Sequence, residues 1–586
     1  MDTAENQNRN RRVIIVKKKP KTGIDRFDEY IQKSGLEPKN YQREGVEFCL
    51  RREQLHSGAD AAAPILGGIV ADEMGLGKTI VMMGLILANL AAFRRTLIVV
   101  PVALIVQWVA QIKKTIIDTG VKSDLTVFVF HGSTGKRSVI LSADGASSVW
   151  CHRPSKRCGG GGARAIDIVI TTYGCVAMEE PTEKAPKAPK AAPKAPKTPT
   201  PSLLTFHADR VIFDEAHHLR NKSSRVFKGA MRVVGGSGGD AAVAVHRPSV
   251  WIVTGTPIQN KISDLKSLCY VLGFRVCDLI TEEKRKLVRD QYVLRRTKVS
   301  VGMIADTAES SASAEVDDVT CAPRLQSLAH YKSNVAWATE NELDLSHEIH
   351  RAAKNTTDSA ERLKLYTKMR QMCVLPALLR RVGGSHGDGD GNDVCCGMTH
   401  GLSLDEFHVA VSKQSKMDRV VERMIAEAGG AGGEGRKSIV FCHFRREMTQ
   451  LRDMLLRGMG CGDETEIAII DGTVGPRERS RIFAAAPKVL ILQIRTCSEG
   501  LNLQEYSDVY FVSPHWNPCV EDQAIARCYR MGQTSQVRVF RFYMSDFVGE
   551  IDDVIPGESE CISTLDHKCE EIQERKRILC NEFLMG

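Results

Sequence analysis

The chain has 586 residues, a length that predicts two or three domains, and its 43% hydrophobic and 26% charged residues are typical of a soluble globular protein. The net charge of +9 permits nucleic-acid binding without establishing it, because an excess of this size also fits an ordinary solvated surface. We expect neither a secretory signal nor a membrane span, since the N-terminus is polar and basic and Asn89 breaks the one long apolar stretch.

The N-terminal segment is basic, and a helix is predicted to follow it. Lys17–Lys19, continued by Pro20 and Lys21, is typical of a nuclear-import signal, although a disordered charged tail explains the same run. The helix predicted after Pro38 carries Gln42, whose amide is placed to read the edge of a purine. A lone glutamine does not identify a site, so this assignment depends on motifs further along the chain.

A phosphate-binding loop is predicted at D-E-M-G-L-G-K-T. Ile65–Ala71 before it has the apolar character of a buried strand, and Thr79–Phe93 after it is long and apolar enough for a core helix. A strand, a Gly-containing loop and a helix in this order aim the first N–H groups and the positive dipole end of the helix at one point, where an anion is expected. The predicted binding residues are Asp72, Glu73, Met74, Gly75, Leu76, Gly77, Lys78 and Thr79.

The residue types in this loop suit the phosphates of a nucleotide and its metal ion. Gly75 and Gly77 leave room for an anion, Lys78 supplies a positive charge for β- and γ-phosphates, and the Thr79 hydroxyl can ligate Mg²⁺. The general pattern G-x-x-x-x-G-K-[ST] has Gly where this chain has Asp72, which we interpret as a subtype. Taken alone, the octapeptide also fits a Gly-Lys turn that opens an ordinary helix.

Short apolar runs then alternate with helical stretches. The predicted strands are Thr96–Pro101, Thr126–Phe130, Asp167–Tyr173, Arg210–Phe213 and Val250–Val253. This alternation predicts an α/β lobe with a parallel, doubly wound sheet, in which the carboxyl ends of the strands meet at one edge.

Two carboxylates follow one of these strands in the sequence D-E-A-H. At the carboxyl edge of the sheet they are expected beside the phosphate loop, where Asp214 can hold Mg²⁺ through its water shell and Glu215 can orient and deprotonate an attacking water. The alternative is a capped helix start, for which Asp and Glu are equally suited. The next strand ends in Thr254-Gly255-Thr256, whose hydroxyls and glycine suit a hinge between sites.

Insertions near residues 145–165, 183–202 and 234–247 interrupt this first lobe. Lys184–Pro201 is a Lys/Ala/Pro repeat, predicted to form an extended tether that either contacts DNA phosphates or is an inert loop. The 18 cysteines are expected to be reduced thiols. Two Cys/His groups lack the paired C-x-x-C spacing of zinc ligands: Cys151-His152 with Cys158, and Cys395-Cys396 with His400.

A second α/β lobe is predicted near the C-terminus. Its strands are Ser438–Cys442, Glu466–Ile470, Val489–Gln493, Asp508–Val512 and Val537–Phe542. In Q-A-I-A-R-C-Y-R-M-G-Q, the spacing places Gln523, Arg527 and Arg530 on one helix face. Arginines that point into a cleft between lobes suit the charge of a γ-phosphoryl transition state, whereas an ordinary basic face is the alternative.

The ordered motifs resemble those of the Swi/Snf-type helicase-like ATPases: Y-Q-R-E-G-V, D-E-M-G-L-G-K-T, D-E-A-H, T-G-T-P-I-Q-N, L-R-R-T-K, M-R-Q-M-C, D-G-T, E-G-L-N-L and Q-A-I-A-R-C-Y-R-M-G-Q. The resemblance covers about residues 36–575. T-G-T-P-I-Q-N together with a terminal R-x-G-Q is typical of motors on double-stranded DNA. Within this family, the compact chain is most similar to the global transactivator proteins of insect large DNA viruses.

The resemblance implies two RecA-like doubly wound parallel-sheet lobes joined by an irregular, partly helical spacer. The implied divisions are a basic flexible tail (1–35), the ATP-binding lobe (36–300), the spacer, partly disordered (301–410), the helicase C-terminal lobe (411–550) and a helical extension (551–586). The implied cofactors are ATP and Mg²⁺, and the implied partners are double-stranded DNA and nucleosomes or other DNA-bound proteins. The expected location is the nucleus, which is the host nucleus if the chain is viral, and the oligomeric state is left open.

Residue roles carried over from the family extend the predicted site. Gln42 would contact adenine, and Lys78 and Thr79 would contact the phosphates and Mg²⁺. Asp214 and Glu215 would contact the metal ion and the attacking water. Arg527 and Arg530 would contact the γ-phosphate, and Gln523 is assigned to the same nucleotide site. DNA contact and coupling are implied for Thr171, Thr254, Gly255, Thr256, Gly500 and Asn502.

One motif departs from the family. Thr496-Cys497-Ser498 stands where a small residue and two glycines are usual, which predicts a stiffer loop and weaker coupling of ATP turnover to DNA. The sequence therefore favours an ATPase that moves on duplex DNA and remodels protein–DNA complexes or chromatin to regulate transcription. A strand-separating DNA or RNA helicase and a nucleotide-binding scaffold without turnover are the alternatives.

Overall fold

The computed structural model describes residues 21–54, 65–131, 140–141, 166–179, 203–235, 247–303, 327–379, 403–430, 435–459, 466–494, 503–530, 532–549 and 560–585. The basic run at Lys17–Lys21 is described only at its last residue. The tether at Lys184–Pro201, the two Cys/His groups, the altered motif at Thr496-Cys497-Ser498, Gly500 and Asn502 lie outside these residues.

Helices surround two separate sheets. In chain order they are α1 Gly23–Ser34, α2 Asn40–Gln54, α3 Lys78–Ala88, α4 Ile105–Ile112, α5 Tyr173–Ala177, α6 Arg225–Val233, α7 Ile262–Leu272, α8 Glu282–Tyr292, α9 Glu340–Asn355, α10 Ser359–Val374, α11 Leu404–Ser412, α12 Ser415–Gly429, α13 Arg445–Gly458, α14 Pro476–Ala485, α15 Pro518–Cys528 and α16 Leu565–Met585. None of these helices, within the part of the chain that the structure describes, is long and apolar enough to cross a membrane.

The first lobe is built on an eight-stranded sheet in the order β4-β3-β5-β2-β6-β7-β1-β8. Its strands are β1 Gly67–Val70, β2 Thr96–Val100, β3 Val127–Phe130, β4 Ile140–Leu141, β5 Ile168–Thr172, β6 Arg210–Asp214, β7 Ser249–Val253 and β8 Val293–Leu294. All neighbours are parallel except the β3–β4 pair. Leu97 and Val99 of β2 pack in the core on one face, and Ile98 and Val100 pack on the other, so both faces are covered as predicted.

The second lobe is built on a six-stranded, fully parallel sheet in the order β11-β12-β10-β13-β14-β9. Its strands are β9 Leu328–Val335, β10 Ser438–Cys442, β11 Ile467–Ile470, β12 Val489–Gln493, β13 Asp508–Phe511 and β14 Val537–Met544; a small antiparallel pair, β15 Phe547–Gly549 and β16 Glu560–Ile562, follows. Val440 and Ile439 of β10 point to opposite cores. The two doubly wound parallel sheets confirm the predicted fold class.

The divisions of the chain differ from the sequence-based ones in two places. Residues 1–35 were expected to be a flexible tail, but α1 lies within them and buries Phe27, Tyr30 and Ile31 in the first lobe. Part of the predicted spacer at 301–410 belongs to the second lobe, because β9 pairs with β14 and α9 and α10 contribute to its core. β9 was missed because its sequence, L-A-H-Y-K-S-N-V, lacks the apolar alternation of the other strands, as expected for an edge strand.

The C-terminal helix α16 contacts both lobes. Gln573 donates hydrogen bonds to His515 O (2.6 Å) and to Oε1 of Glu521 on α15 (2.7 Å). Further along α16, Leu579 and Cys580 pack against the core of the first lobe. The lobes are therefore joined by this helix as well as by direct contacts across the cleft.

Candidate active site

The phosphate loop has the geometry that its glycines allow. Gly75 (φ 91°) and Gly77 (φ 81°) have left-handed backbone angles, and α3 begins directly after Gly77 with no side-chain cap among the described residues. The first N–H groups of α3 therefore remain available to an anion. A Cβ at position 77 would lie 2.4 Å from Nε2 of Gln42, so any other residue would have to displace this amide as well as adopt the left-handed angle. Gln42 itself is buried and donates to Leu76 O at 3.1 Å.

Lys78 is the buried cation of the loop. Its Nζ donates to Asp72 O at 2.9 Å and approaches Glu73 O at 3.4 Å, so the ammonium group lies over the bend of the loop. Burial lowers the pKa of Lys78, although the negative charges of Glu215, Asp72 and Asp214 act in the opposite direction. The cation is thus held beside the carboxylates that end β6.

Asp214 and Glu215 lie at the carboxyl end of β6, as the strand pattern predicted. Asp214 accepts hydrogen bonds from Trp108 Nε1 (2.8 Å) and from the Glu215 N–H (3.0 Å), and Tyr173 OH donates to Asp214 O at 2.7 Å. Glu215, directly after β6, has a left-handed backbone (φ 49°). Its Oε2 is buried, lies 3.4 Å from His217 Nδ1 and accepts no hydrogen bond within the described residues.

The pKa values of these two carboxylates are shifted in opposite directions. Burial and the negative charge of Glu215 raise the pKa of Asp214. Burial alone would also raise the pKa of Glu215, but the adjacent His217, Lys78 and Arg527 outweigh it and hold that pKa below its ordinary value. Glu215 is therefore ionised, and its buried Oε2 has the ring of His217 as a neighbour at 3.4 Å.

The second lobe supplies the opposite wall. Arg527, in the last turn of α15, and Arg530, just beyond it, line a cavity of about 290 Å³ together with Lys78, Asp214 and Glu215. Burial and the neighbouring charge of Arg527 lower the pKa of Arg530. Two arginines on one side and a phosphate loop on the other make this space strongly suited to an anion.

Most of the predicted nucleotide residues converge on this cavity. Its lining includes Gln42, Met74, Gly75, Gly77, Lys78, Thr79, Asp214, Glu215, Arg527 and Arg530. Leu76 and Gln523 are buried and are not part of the lining. Asp72 and Glu73 turn away from it, because Asp72 forms an ion pair with Arg296 and Glu73 accepts from the Lys298 N–H at 2.7 Å. Asp72 and Glu73 therefore hold the loop against the segment after β8. The motif alone did not show this structural role.

Helix α4 adds residues that the sequence analysis did not assign to the site. Gln107, Trp108 and Gln111 line the cavity, alongside the apolar Leu36, Ile80 and Leu104. The available signal was positional: α4 follows β2, the neighbour of β6, and so begins at the same carboxyl edge of the sheet.

The residues expected to couple DNA contact to ATP contact are mostly buried. Thr171 is fully buried and its hydroxyl donates to Phe130 O at 2.9 Å, while Thr254 accepts from the Thr256 N–H at 3.2 Å. Gly255 and Thr256 line a second cavity between the lobes, of about 370 Å³. A Cβ at position 255 would lie 2.9 Å from Met74 Cγ and 3.4 Å from Lys78 Nζ. These three threonines are buried in this conformation, and their role in coupling stays a prediction.

A triphosphate with a divalent cation fits this arrangement. The left-handed glycines form a cradle that a Cβ would fill, and the buried Oε2 of Glu215 lacks a hydrogen-bond donor among the described residues. The hydroxyl of Thr79 and the carboxylate of Asp214 are oxygen donors of the kind that Mg²⁺ prefers, and both line the same cavity. Within the described part of the chain, no group of three or more His, Cys, Asp or Glu side chains is positioned to hold a metal ion, so the proposed Mg²⁺ ligands are limited to Thr79 and Asp214.

Comparison with known proteins agrees with the geometry. The profile of the SNF2-related domain matches residues 41–293, and that of the helicase conserved C-terminal domain matches residues 415–532. Together they cover more than half of the chain and correspond to the two lobes. A SWI2/SNF2 ATPase core from Sulfolobus solfataricus in complex with dsDNA covers 93% of this chain and 92% of its own, at 20% identity and a TM-score of 0.31.

Several curated proteins are similar along most of the chain. A probable global transactivator of Orgyia pseudotsugata multicapsid polyhedrosis virus is 26% identical over 86% of this chain and 86% of its own length. The DNA repair protein RAD5 of Gibberella zeae is 23% identical over 83% of this chain but only 52% of its own, so the chain spans about half of that relative. The chain belongs to the SNF2 family, the helicase-like DNA-dependent ATPases of helicase superfamily two.

Proposed function

We propose that this chain is an ATP-driven translocase on duplex DNA that displaces or remodels DNA-bound proteins and thereby influences transcription. The observation that carries the proposal is the shared cavity, which is lined by Lys78 and Glu215 from one lobe and by Arg527 and Arg530 from the other. A site divided between two lobes makes hydrolysis depend on their closure. Closure and opening driven by ATP turnover are what a motor requires for stepping along a strand.

The roles of the first-lobe residues follow from their chemistry. Lys78 and the N-terminus of α3 bind the β- and γ-phosphates, and Gln42 binds the adenine edge. Asp214 and Thr79 would hold Mg²⁺, which when bound neutralises charge on the phosphates. Asp214 stays oriented for this role because Trp108 donates to one of its oxygens.

The hydrolytic step is assigned to Glu215 and the two arginines. Glu215, ionised and with a buried oxygen that lacks a described hydrogen-bond donor, orients the attacking water and accepts its proton. Arg527 and Arg530 stabilise the negative charge that develops on the transferred phosphoryl group. Because they belong to the second lobe, they act only when the lobes are closed.

The proposed partner is duplex DNA, gripped through its phosphates without preference for sequence. The relatives include a probable global transactivator, DNA repair proteins and chromodomain-helicase-DNA-binding protein 8 of Danio rerio, which supports a role on chromatin or other protein–DNA complexes. These relatives support a nuclear location, which would be the host nucleus if the chain is viral. Nucleosomes are a candidate substrate.

The test is the rate of ATP hydrolysis with no nucleic acid, duplex DNA, single-stranded DNA or RNA, followed by displacement of a third strand from a triplex. Duplex DNA should stimulate hydrolysis most, and displacement should require ATP. Unwinding of a tailed duplex would instead support a strand-separating helicase. ATP binding without turnover under every condition would support a scaffold.

Variants of the site complete this test. Lys78→Ala should abolish turnover, and Glu215→Gln should keep ATP binding while losing on the order of 10²-fold or more in rate, the scale expected when a general base is lost. Lys286→Ala and Glu283→Gln, on the exposed surface of α8, are matched controls that should retain the wild-type rate. A Glu215→Gln rate within a few-fold of wild type would remove Glu215 from the proposed role.

A further inference from the structure

Lys298 lies at a junction of the two lobes that the proposed reaction does not use. It follows β8 in the first lobe and is 4% exposed. Its Nζ lies 3.4 Å from Tyr529 O, 4.4 Å from the centroid of the Tyr529 ring and 3.5 Å from Oε1 of Glu73. One ammonium group therefore touches both the phosphate loop and the segment between Arg527 and Arg530.

On the first-lobe side, Lys298 is fixed to the phosphate loop through the main chain. The chain from Leu294 to Lys298 runs beside Ala71–Glu73: the Ala71 N–H donates to Leu294 O at 2.7 Å, the Glu73 N–H donates to Arg296 O at 2.8 Å, and the Lys298 N–H donates to Oε2 of Glu73 at 2.7 Å. The ion pair of Arg296 with Asp72 adds a side-chain link. The base of the Lys298 side chain thus moves with the loop.

On the second-lobe side, Lys298 meets the end of the helix that carries Arg527. Tyr529 is the C-terminal cap of α15, so its carbonyl lies at the negative end of the helix dipole, where a cation is stabilising. The ring of Tyr529 adds a cation–π contact to the same ammonium group. Both contacts exist only while the second lobe is seated against the first.

Side chains from both lobes pack closely around Gly75 of the phosphate loop. A Cβ at Gly75 would lie 3.6 Å from Lys298 Cε and 3.9 Å from Arg530 Cβ. The stem of Lys298 and the base of Arg530 therefore converge over one glycine of the phosphate loop.

We propose that Lys298 is a positioning residue that caps α15 from the opposite lobe and so seats Arg527 and Arg530 against the phosphate loop when the lobes close. Lys298 is not part of the lining of the cavity that holds Lys78 and Glu215, and it acts through Tyr529 and Glu73. The inference rests on the proposed function, because it gives Lys298 its role through the transition-state arginines.

The experiment compares binding of ADP with binding of ADP–aluminium fluoride, a mimic of the transition state, in the presence of Mg²⁺ and saturating duplex DNA. Lys298→Met should weaken binding of the mimic at least tenfold and lower kcat to a similar extent, while the Kd for ADP changes less than threefold. Arg527→Ala combined with Arg530→Ala should show the same pattern. Adding Lys298→Met to these two substitutions should cause no further loss, because the lysine acts through both arginines.

Matched controls separate positioning from general stability. Lys332→Met removes a lysine that also lies over a tyrosine ring (4.6 Å, Tyr543) and pairs with Glu570 (2.5 Å), but all three belong to the second lobe and its C-terminal extension, so binding of the mimic should be unchanged. If Lys298→Met does not fold, Tyr529→Leu tests the same contact, with Tyr529→Phe, which keeps the ring, as its control.

Binding of the mimic within threefold of wild type in folded Lys298→Met would overturn the role of Lys298. A further loss when Lys298→Met is added to Arg527→Ala and Arg530→Ala together would overturn it as well. Failure of the proposed function gives a different result: Arg527→Ala and Glu215→Gln would then hydrolyse ATP at the wild-type rate, whatever Lys298→Met does.

Discussion

Nε1 of Trp108 lies 2.8 Å from Oδ2 of Asp214 and donates a hydrogen bond to it, which joins α4 to the carboxylate at the end of β6. Trp108 is 1% exposed, so water does not replace this donor. The bond fixes the orientation of a side chain that we assign to Mg²⁺, although Trp108 itself belongs to the apolar core.

Trp108→Phe should therefore raise the Mg²⁺ concentration needed for half-maximal ATPase activity by roughly tenfold, because a hydrogen bond to a charged group is worth about 1.5–3 kcal/mol. The measurement is ATPase rate against Mg²⁺ concentration at saturating ATP. Trp251→Phe is the matched control, since it removes another buried indole donor, to Glu53 at 3.0 Å, away from the cavity. An equal shift in both variants would show that the effect is one of general stability.

Gly77→Ala should weaken ATP binding by at least about tenfold. A left-handed backbone costs a non-glycine residue about 1–2 kcal/mol, and the new methyl group would also displace the amide of Gln42. Gly120→Ala is the control, because Gly120 has a similar angle (φ 68°) but no described atom within 4 Å of its Cβ position. Nucleotide titration should show normal affinity for Gly120→Ala, and equal losses would argue against a steric role for Gly77.

Glu53→Gln should destabilise the first lobe by about 3 kcal/mol or more, because it leaves Arg210 buried without its counter-charge. Both side chains are fully buried, and Arg210 donates to Glu53 through Nε (2.6 Å) and Nη2 (2.5 Å). Glu47→Gln, in the same helix, breaks an exposed pair with Arg43 and should cost about 0.5 kcal/mol or less. Urea unfolding of both variants measures the difference, and similar midpoints would refute the prediction.

The buried His350 predicts a component of acid sensitivity. Burial lowers its pKa to about 4, whereas an unfolded histidine has a pKa of about 6.5. Between these values the unfolded chain binds a proton that the folded chain does not, so stability is lost as the pH falls from about 6.5 towards 4. At pH 5 the loss is about 2 kcal/mol relative to pH 7.

His350→Leu should remove that component. The free energy of unfolding at pH 7 minus that at pH 5 should be smaller in the variant by about 2 kcal/mol, whatever the other groups contribute to both proteins. An unchanged difference between the two pH values would mean that His350 is protonated in the folded state.

Much of the site follows from local pattern. Gly75, Gly77 and Lys78 stand between a buried strand and an apolar helix, and Asp214 and Glu215 end another apolar strand, so parallel topology alone brings them together. The prediction that Gln523, Arg527 and Arg530 share one helix face was wrong, because α15 ends at Cys528 and Gln523 is buried outside the cavity lining. Arg527 and Arg530 nevertheless both line the cavity, as the family resemblance implied. The central strands were predicted for the same reason: a strand buried on both faces is a continuous apolar run.

Other features depend on residues that are distant in sequence. Asp72 and Glu73 belong to the loop motif, yet their side chains pair with Arg296 and the Lys298 N–H, more than 200 positions later. Strand β9 has no apolar alternation. Its residues form a strand because their backbone pairs in parallel with β14 at the edge of the second sheet. Such partners are set by packing, which a one-dimensional pattern does not contain.

The sequence by itself determined the two-lobe α/β fold, the strand–loop–helix unit around Lys78 and the types of residue at the proposed hydrolytic site, because strand–loop–helix order and period are local properties. Only the tertiary structure decided which loop residues face the cavity and which brace it, how α4 supplies Trp108, and that Lys298 meets Tyr529 across the cleft. These relationships join chain segments that come together only when hydrophobic cores form on both faces of each sheet and the two lobes close on one another.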